Sequence, residues 1–104
     1  MAYKVVITSD AEHDLDRFLN YLINEKKNKQ AAINVLNDFE TTKQELAIVA
    51  GNLKLCDNTH LKTLGYRRIN FKSHRYFALY RIQDENVIID RIFHSLQDYE
   101  RKMQ

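Results

Sequence analysis

The sequence predicts an α+β fold: an N-terminal strand, a helical hairpin, then a three-stranded antiparallel meander forming one sheet, and a short C-terminal helix. Three observations carry that reading. Apolar residues recur at helical spacing through the first half, the character turns alternating and β-branched after Gly65, and two short polar turns divide the later segment into strands. With 104 residues, two Gly, no Pro and one Cys, the chain reads as one domain spanning residues 1–104.

Residues 3–8, YKVVIT, form a short β-prone run. Ser9 followed by Glu12 reads as a capping box, and Asp10, Asp14 and Asp16 crowd the start of the first helix, where its dipole favours acids. These carboxylates are therefore read as helix chemistry and not as a metal site. Ala11, Leu15, Phe18, Leu19, Leu22 and Ile23 form one apolar face and carry the helix to about Lys26. The phase restarts after the polar segment 24–30 with Ala32, Val35, Leu36, Phe39, Leu46 and Ala50. A second helix then runs back beside the first and stops at Gly51.

Residues 52–64 carry no clear period and are expected as an ordered loop, with a short extended piece at Leu53–Leu55. YRRINF (66–71), RYFALYRIQ (75–83) and VIIDRIFH (87–94) supply the meander, separated by turns at 72–74 and 84–86. Strict alternation puts Ile88, Asp90, Ile92 and His94 on one side of the last strand and Val87, Ile89, Arg91 and Phe93 on the other. The tail 96–103 is expected as a surface helix capped by Ser95, with Asp98 at N3. The hairpin should cover one face of the sheet and leave the opposite face partly open.

Composition excludes several classes of function. Gly51 and Gly65 lie fourteen residues apart, so no glycine-rich phosphate loop exists and nucleotide-dependent chemistry is not expected. A lone Cys56 makes no internal disulfide, and no apolar run approaches the length of a membrane span, so the expectation is a cytoplasmic protein with no membrane partner. Cys56 and His60 form at best half a zinc site without a second pair, so no metal and no cofactor are expected.

The net charge of +2 hides an asymmetry: residues 1–50 hold six Lys/Arg against eight Asp/Glu, and residues 51–104 hold ten against six. Lys62, Arg67, Arg68, Lys72, Arg75 and Arg81 interleave with Tyr66, Phe71, Tyr76, Phe77 and Tyr80, with His60 and His74 among them. Cations that neutralise phosphate, alternating with ring faces that stack on bases, suit a nucleic-acid partner. The same pattern also suits solvated arginines on the outer face of a sheet.

The element order, together with LKTLGYRRINF, HRYFALYRIQDENVIIDRIFH and SLQDYE, resembles the RelE/ParE superfamily of type II toxin–antitoxin toxins. The similarity is densest from Leu61 to Tyr99. Its most specific parts are Tyr80-Arg81-Ile82-Gln83-Asp84 and the close Arg91-Ile92-Phe93-His94 followed by Asp98, which is similar to the R-V-x-H-x-x-x-D ending of ParE-like members.

The resemblance implies a growth-arresting toxin held inactive by a cognate antitoxin, whose acidic amphipathic segment would complement the basic half. One branch of the family cleaves mRNA on the ribosome without a metal, and the other poisons DNA gyrase without nuclease activity. For the first, the resemblance implies His94 as acid/base, Arg75 and Arg67 as catalytic cations, and Lys62, Arg68, His74, Tyr76 and Tyr99 as substrate contacts; a structural histidine is the other reading of His94, since the non-nuclease branch carries it too. Metal-free cleavage needs such groups, a base for the 2′-hydroxyl, an acid for the leaving oxygen and cations for the charged transition state. The sequence departs from one nuclease pattern at Thr59-His60, where some members carry a Glu ahead of the Leu-Lys pair, here Leu61-Lys62. The expectation is RelE-like mRNA cleavage, with gyrase inhibition as the alternative.

Overall fold

The computed structural model describes residues 2–73 and 75–103, so His74, one of the expected substrate contacts, lies outside the described residues. Strand β1 spans Lys4–Ile7 and runs directly into helix α1, Ser9–Asn20. Thr8, not Ser9, is the cap: its Oγ1 accepts from the Ala11 N–H at 3.1 Å. The reason is tertiary. The Thr8 N–H donates to the Ile89 carbonyl at 3.1 Å and its hydroxyl donates to the Asp90 carbonyl at 3.0 Å, which ends the strand and turns the chain there.

Helix α1 continues as a π-helical turn, Tyr21–Glu25, close to the expected end of the helix. Lys27 at φ 53° reverses the chain. Asn28 then caps helix α2, Lys29–Val49, its Oδ1 accepting from the Ala31 N–H at 3.0 Å. A 3₁₀ turn at Ala50–Asn52 follows. Gly51 sits inside this turn and is not a left-handed helix stop, because Gly65 is the only glycine with positive φ. What Gly51 provides is space: a Cβ there would lie 2.7 Å from the Tyr3 Oη.

Segment 52–64 is more ordered than expected. Leu55 forms a single antiparallel bridge to Arg67, matching the short extended piece, but Thr59–Thr63 is a helical turn, α3, capped by Asn58. Gly65 at φ 85° closes it, with its N–H on the Lys62 carbonyl at 3.0 Å and the Tyr66 N–H on the Leu61 carbonyl at 3.0 Å. That pair of bonds is a Schellman ending.

Strands β2 (Arg67–Asn70), β3 (Tyr76–Gln83) and β4 (Asn86–His94) make the antiparallel meander. β1 adds to β4 in parallel, so the four-stranded order is β1-β4-β3-β2. Leu79 pairs with Arg91 while Tyr80 pairs with Ile89, which leaves Asp90 as an extra residue. This β-bulge overturns strict alternation: Ile89 and Ile92 enter the same apolar cluster, because the extra residue re-phases the strand.

The larger core lies under the helical hairpin, with Leu15, Val35, Phe39 and Leu46 against Phe71, Ala78, Tyr80, Val87, Ile89 and Ile92. Buried Tyr80 donates its hydroxyl to the Ala50 carbonyl at 2.8 Å, and burial pushes that phenol up to about 12. The opposite face is not left open. Cys56, Leu61, Phe77, Leu79 and Phe93 form a second cluster, closed by Tyr66, Tyr99 and Met103. Burial raises the Cys56 thiol accordingly. The tail contributes to this cover through α4, Tyr99–Lys102, which is capped by Asp98. Ser95 is not its cap; its N–H is held by the Arg75 carbonyl at 2.8 Å. Among the described residues no helix is long and apolar enough to cross a membrane.

One carboxylate ties the layers together. Asp14, 1% exposed, accepts from Arg91 Nε at 2.7 Å, Arg91 Nη2 at 3.1 Å, the Ile92 N–H at 2.9 Å and Arg17 Nη2 at 2.5 Å. β1 pairs with β4 only as far as Ile89, so the Ile92 amide has no strand partner on that side. Asp14 supplies one from α1. The bond to Asp14 in turn raises the Arg91 guanidinium above its ordinary value.

Asp14→Ala is expected to destabilise the fold by about 3–5 kcal/mol in urea unfolding, because it leaves a guanidinium and a backbone amide uncompensated. Asp14→Leu combined with Arg91→Met should cost clearly less than Asp14→Ala alone; equal losses would show that the pair is not coupled. Gly51→Ala should cost about 1–2 kcal/mol through collision with Tyr3. The same change made on a Tyr3→Phe background should be near neutral, because the colliding hydroxyl is gone.

Candidate functional site

The residues singled out by the sequence fall into separate places. His94 ends β4 directly opposite Tyr76 at the head of β3, and the two rings meet edge-on at 5.2 Å. Together with exposed Arg75 they line a cleft of about 760 Å³ between the strand ends and the π-helical turn. Tyr76 is 6% exposed and packs on Phe18 at 5.0 Å, so it serves as the floor of the cleft; burial raises its phenol. It offers no open ring face for stacking.

His94 is held at both ends. Its Nδ1 accepts from the Leu96 N–H at 3.1 Å, and its own N–H donates to Gln97 Oε1 at 2.9 Å. With Nδ1 as acceptor, the neutral ring carries its proton on Nε2. The lone pair a general base would use is therefore engaged in the turn after β4.

Arg67 does not join this cleft. It pairs with Tyr80, four residues further along β3, and its Nη1 donates to the Leu53 carbonyl, fixing the loop to the sheet edge. Arg68 pairs with Leu79 and lies on the second apolar face, its guanidinium 3.7 Å over the Phe77 ring and 5.5 Å from the Tyr99 ring. Arg68 and Tyr99 share a smaller hollow of about 330 Å³ with Lys54, Cys56, Asp57 and Asn70. Lys62 is exposed on α3. Among the described residues only His94, Arg75 and Tyr76 of the expected set are thus brought together, and Arg68 with Tyr99 forms a second group on the other side of the sheet.

Other cleft residues were not legible as site residues. Phe18 and Leu22 read as core, Lys26 reads as the end of the first helix and Tyr21 carries no local signal, although all four line the cleft. The π-helical turn places them there: the Lys26 N–H reaches back to the Tyr21 carbonyl at 3.1 Å, and the Lys26 ammonium sits 5.7 Å over the Tyr21 ring. Arg81, counted with the basic face, is paired with Asp90 at 2.8 Å. Burial first, and then the neighbouring Asp90 carboxylate, raises the Tyr66 phenol. Among the described residues no cluster of three or more His, Cys, Asp or Glu could hold a metal ion.

A solved structure described as the chromosomal ParDE TA system from P. aeruginosa superposes with a TM-score of 0.70 at 19% identity, covering 89% of this chain and 96% of that one. At that identity the likeness is one of fold. No curated relative matches the chain in sequence. The family model for the ParE toxin of type II toxin–antitoxin system, parDE, matches residues 5–99 and takes in every element from β1 to the start of α4. The chain belongs to the ParE toxin family of type II toxin–antitoxin systems.

Proposed function

We propose that this toxin arrests growth by binding DNA gyrase, as a ParE-type inhibitor without nuclease chemistry. The observation that supports this reading over RNA cleavage is the engagement of His94 Nδ1 by the Leu96 N–H. A general base needs a free lone pair within reach of the proton it removes. Protonating His94 to make it an acid would break the bond that shapes the turn before α4. The expected cations are also dispersed, with the catalytic candidate Arg67 on the Leu53 carbonyl and the substrate-contact candidate Arg68 stacked on Phe77 on the far face. Membership of the ParE family favours the same reading.

A second reading, RelE-like cleavage of ribosome-bound mRNA, draws support from one observation. His94 and Arg75 do line the same cleft.

Two measurements separate the readings. Purified toxin should inhibit supercoiling by gyrase and leave mRNA on translating ribosomes intact; cut mRNA with gyrase untouched at high excess would overturn the proposal. His94→Asn keeps an acceptor near the Nδ1 position and removes the acid/base group. Expressed without antitoxin, it should arrest growth as the parent does, whereas loss of arrest in a folded variant would point to catalysis by His94.

A further inference from the structure

The arginines of the chain are held in different ways. Arg17, Arg81 and Arg91 are paired with carboxylates, and Arg67 is bound to the Leu53 carbonyl. Arg75 and Arg101 stand exposed. Arg68 is half-buried and fixed in place, yet among the described residues no carboxylate lies within salt-bridge distance of it. Its guanidinium rests on the Phe77 ring with Tyr99 beside it, and its Nε donates to Asn70 Oδ1 at 3.1 Å. The two terminal nitrogens make no hydrogen bond among the described residues. A guanidinium ordered before it binds loses little freedom on taking a carboxylate in its planar fork.

The hollow around Arg68 has the make-up of a protein contact. Leu55, Cys56 and Tyr99 line it beside the guanidinium, and the exposed Lys54–Asp57 pair, 3.4 Å apart, adds one charge of each sign. Arginine and tyrosine at the centre with charged residues at the rim are what protein–protein contacts favour. An unpaired central cation calls for an acid on the partner. A nucleic acid fits less well on two counts. Of the rings that interleave with the cations in the sequence, Phe71, Tyr76, Phe77 and Tyr80 are buried and offer no face to bases. Asp57 in the lining, and Glu100 next to Tyr99 on α4, repel a phosphate chain.

We propose that this hollow is the surface through which the toxin contacts gyrase, with a carboxylate of the enzyme seated in the Arg68 fork against Tyr99. The inference rests on the gyrase reading and adds the face that carries it. His94, Arg75 and the helical-side cleft lie outside this contact.

The test is the affinity of the full-length toxin for purified gyrase, each variant first shown by thermal unfolding to keep the parent's stability within a few degrees. Arg68→Glu should raise Kd about tenfold or more. Arg68→Lys keeps the charge and the stem but not the fork, and should raise Kd about threefold or more. Lys29→Glu makes the same change of charge at an exposed position of α2 and should leave Kd within about twofold. Arg68→Lys answers the question even where Arg68→Glu lowers stability. Parent-like Kd in both Arg68 variants would overturn the proposal, and so would an equal loss in Lys29→Glu, which would reduce the effect to overall charge. A loss of affinity for the cognate antitoxin or for duplex DNA, with gyrase binding unchanged, would give the face to that partner and overturn it too. A parent toxin that does not bind gyrase would refute the proposed target itself, an outcome distinct from parent binding that the Arg68 variants retain.

Discussion

The buried Asp14 carboxylate is the contact on which the rest of the molecule depends. β1 has four residues and β4 nine, so half of β4 is left without a partner on the β1 side. A bare strand edge carries unpaired amides that something must satisfy. Asp14 does so from α1, taking the Ile92 N–H on one oxygen and the forked Arg91 guanidinium across both. This single contact fixes how α1 crosses the sheet, and with it where Phe18 and the π-helical turn stand relative to the ends of β3 and β4. The cleft beside His94 exists because α1 is anchored one turn earlier.

The β-bulge at Asp90 works with the same contact. Without the extra residue the last strand would keep one side chain phase throughout, and the apolar residues on either side of Asp90 could not both serve the hairpin-side core. With it, Val87 and Ile89 before the bulge and Ile92 after it all pack under the helices. Phe93 is freed to join Phe77 and Tyr99 on the second face, where Phe77 and Phe93 rings lie 5.7 Å apart. The displaced Asp90 side chain pairs with Arg81, and its carbonyl takes the Thr8 hydroxyl. The sheet thus acquires two covered faces with different chemistry: an apolar, cation-flanked groove on the helical side and an arginine stacked on aromatic rings on the other.

Much of the fold was legible in local pattern. The apolar stripe of Leu15, Val35 and Phe39, the β-branched run of β4 and the two turns of the meander follow from helical spacing, β propensity and turn chemistry, and the elements lie where those signals place them, although the bulge at Asp90 breaks the period of 2 within β4. The helix caps were less legible. Thr8 and Ser9 are equally good caps by composition, and only the bonds from Thr8 to β4 choose between them. Gly51 looked like a helix stop, yet its role is to admit Tyr3, a residue forty-eight positions away in the chain. The site was legible only in part, since His94, Arg75 and Tyr76 converge while Arg67 is held by the Leu53 carbonyl.

By itself the sequence determined the order of the elements, the acidic helical half and basic sheet half, and the absence of any glycine-rich phosphate loop, because these depend on residue type and short-range spacing alone. Its motifs also led to the toxin family. Only the tertiary structure decided what each charged residue does, because that depends on partners distant in the chain. Asp14 lies seventy-seven residues before Arg91, and the Leu53 carbonyl fourteen before Arg67. An acid that reads locally as helix-dipole chemistry proves to be the fastening of the sheet, and a histidine that reads as a base has its lone pair bound to the turn that follows it.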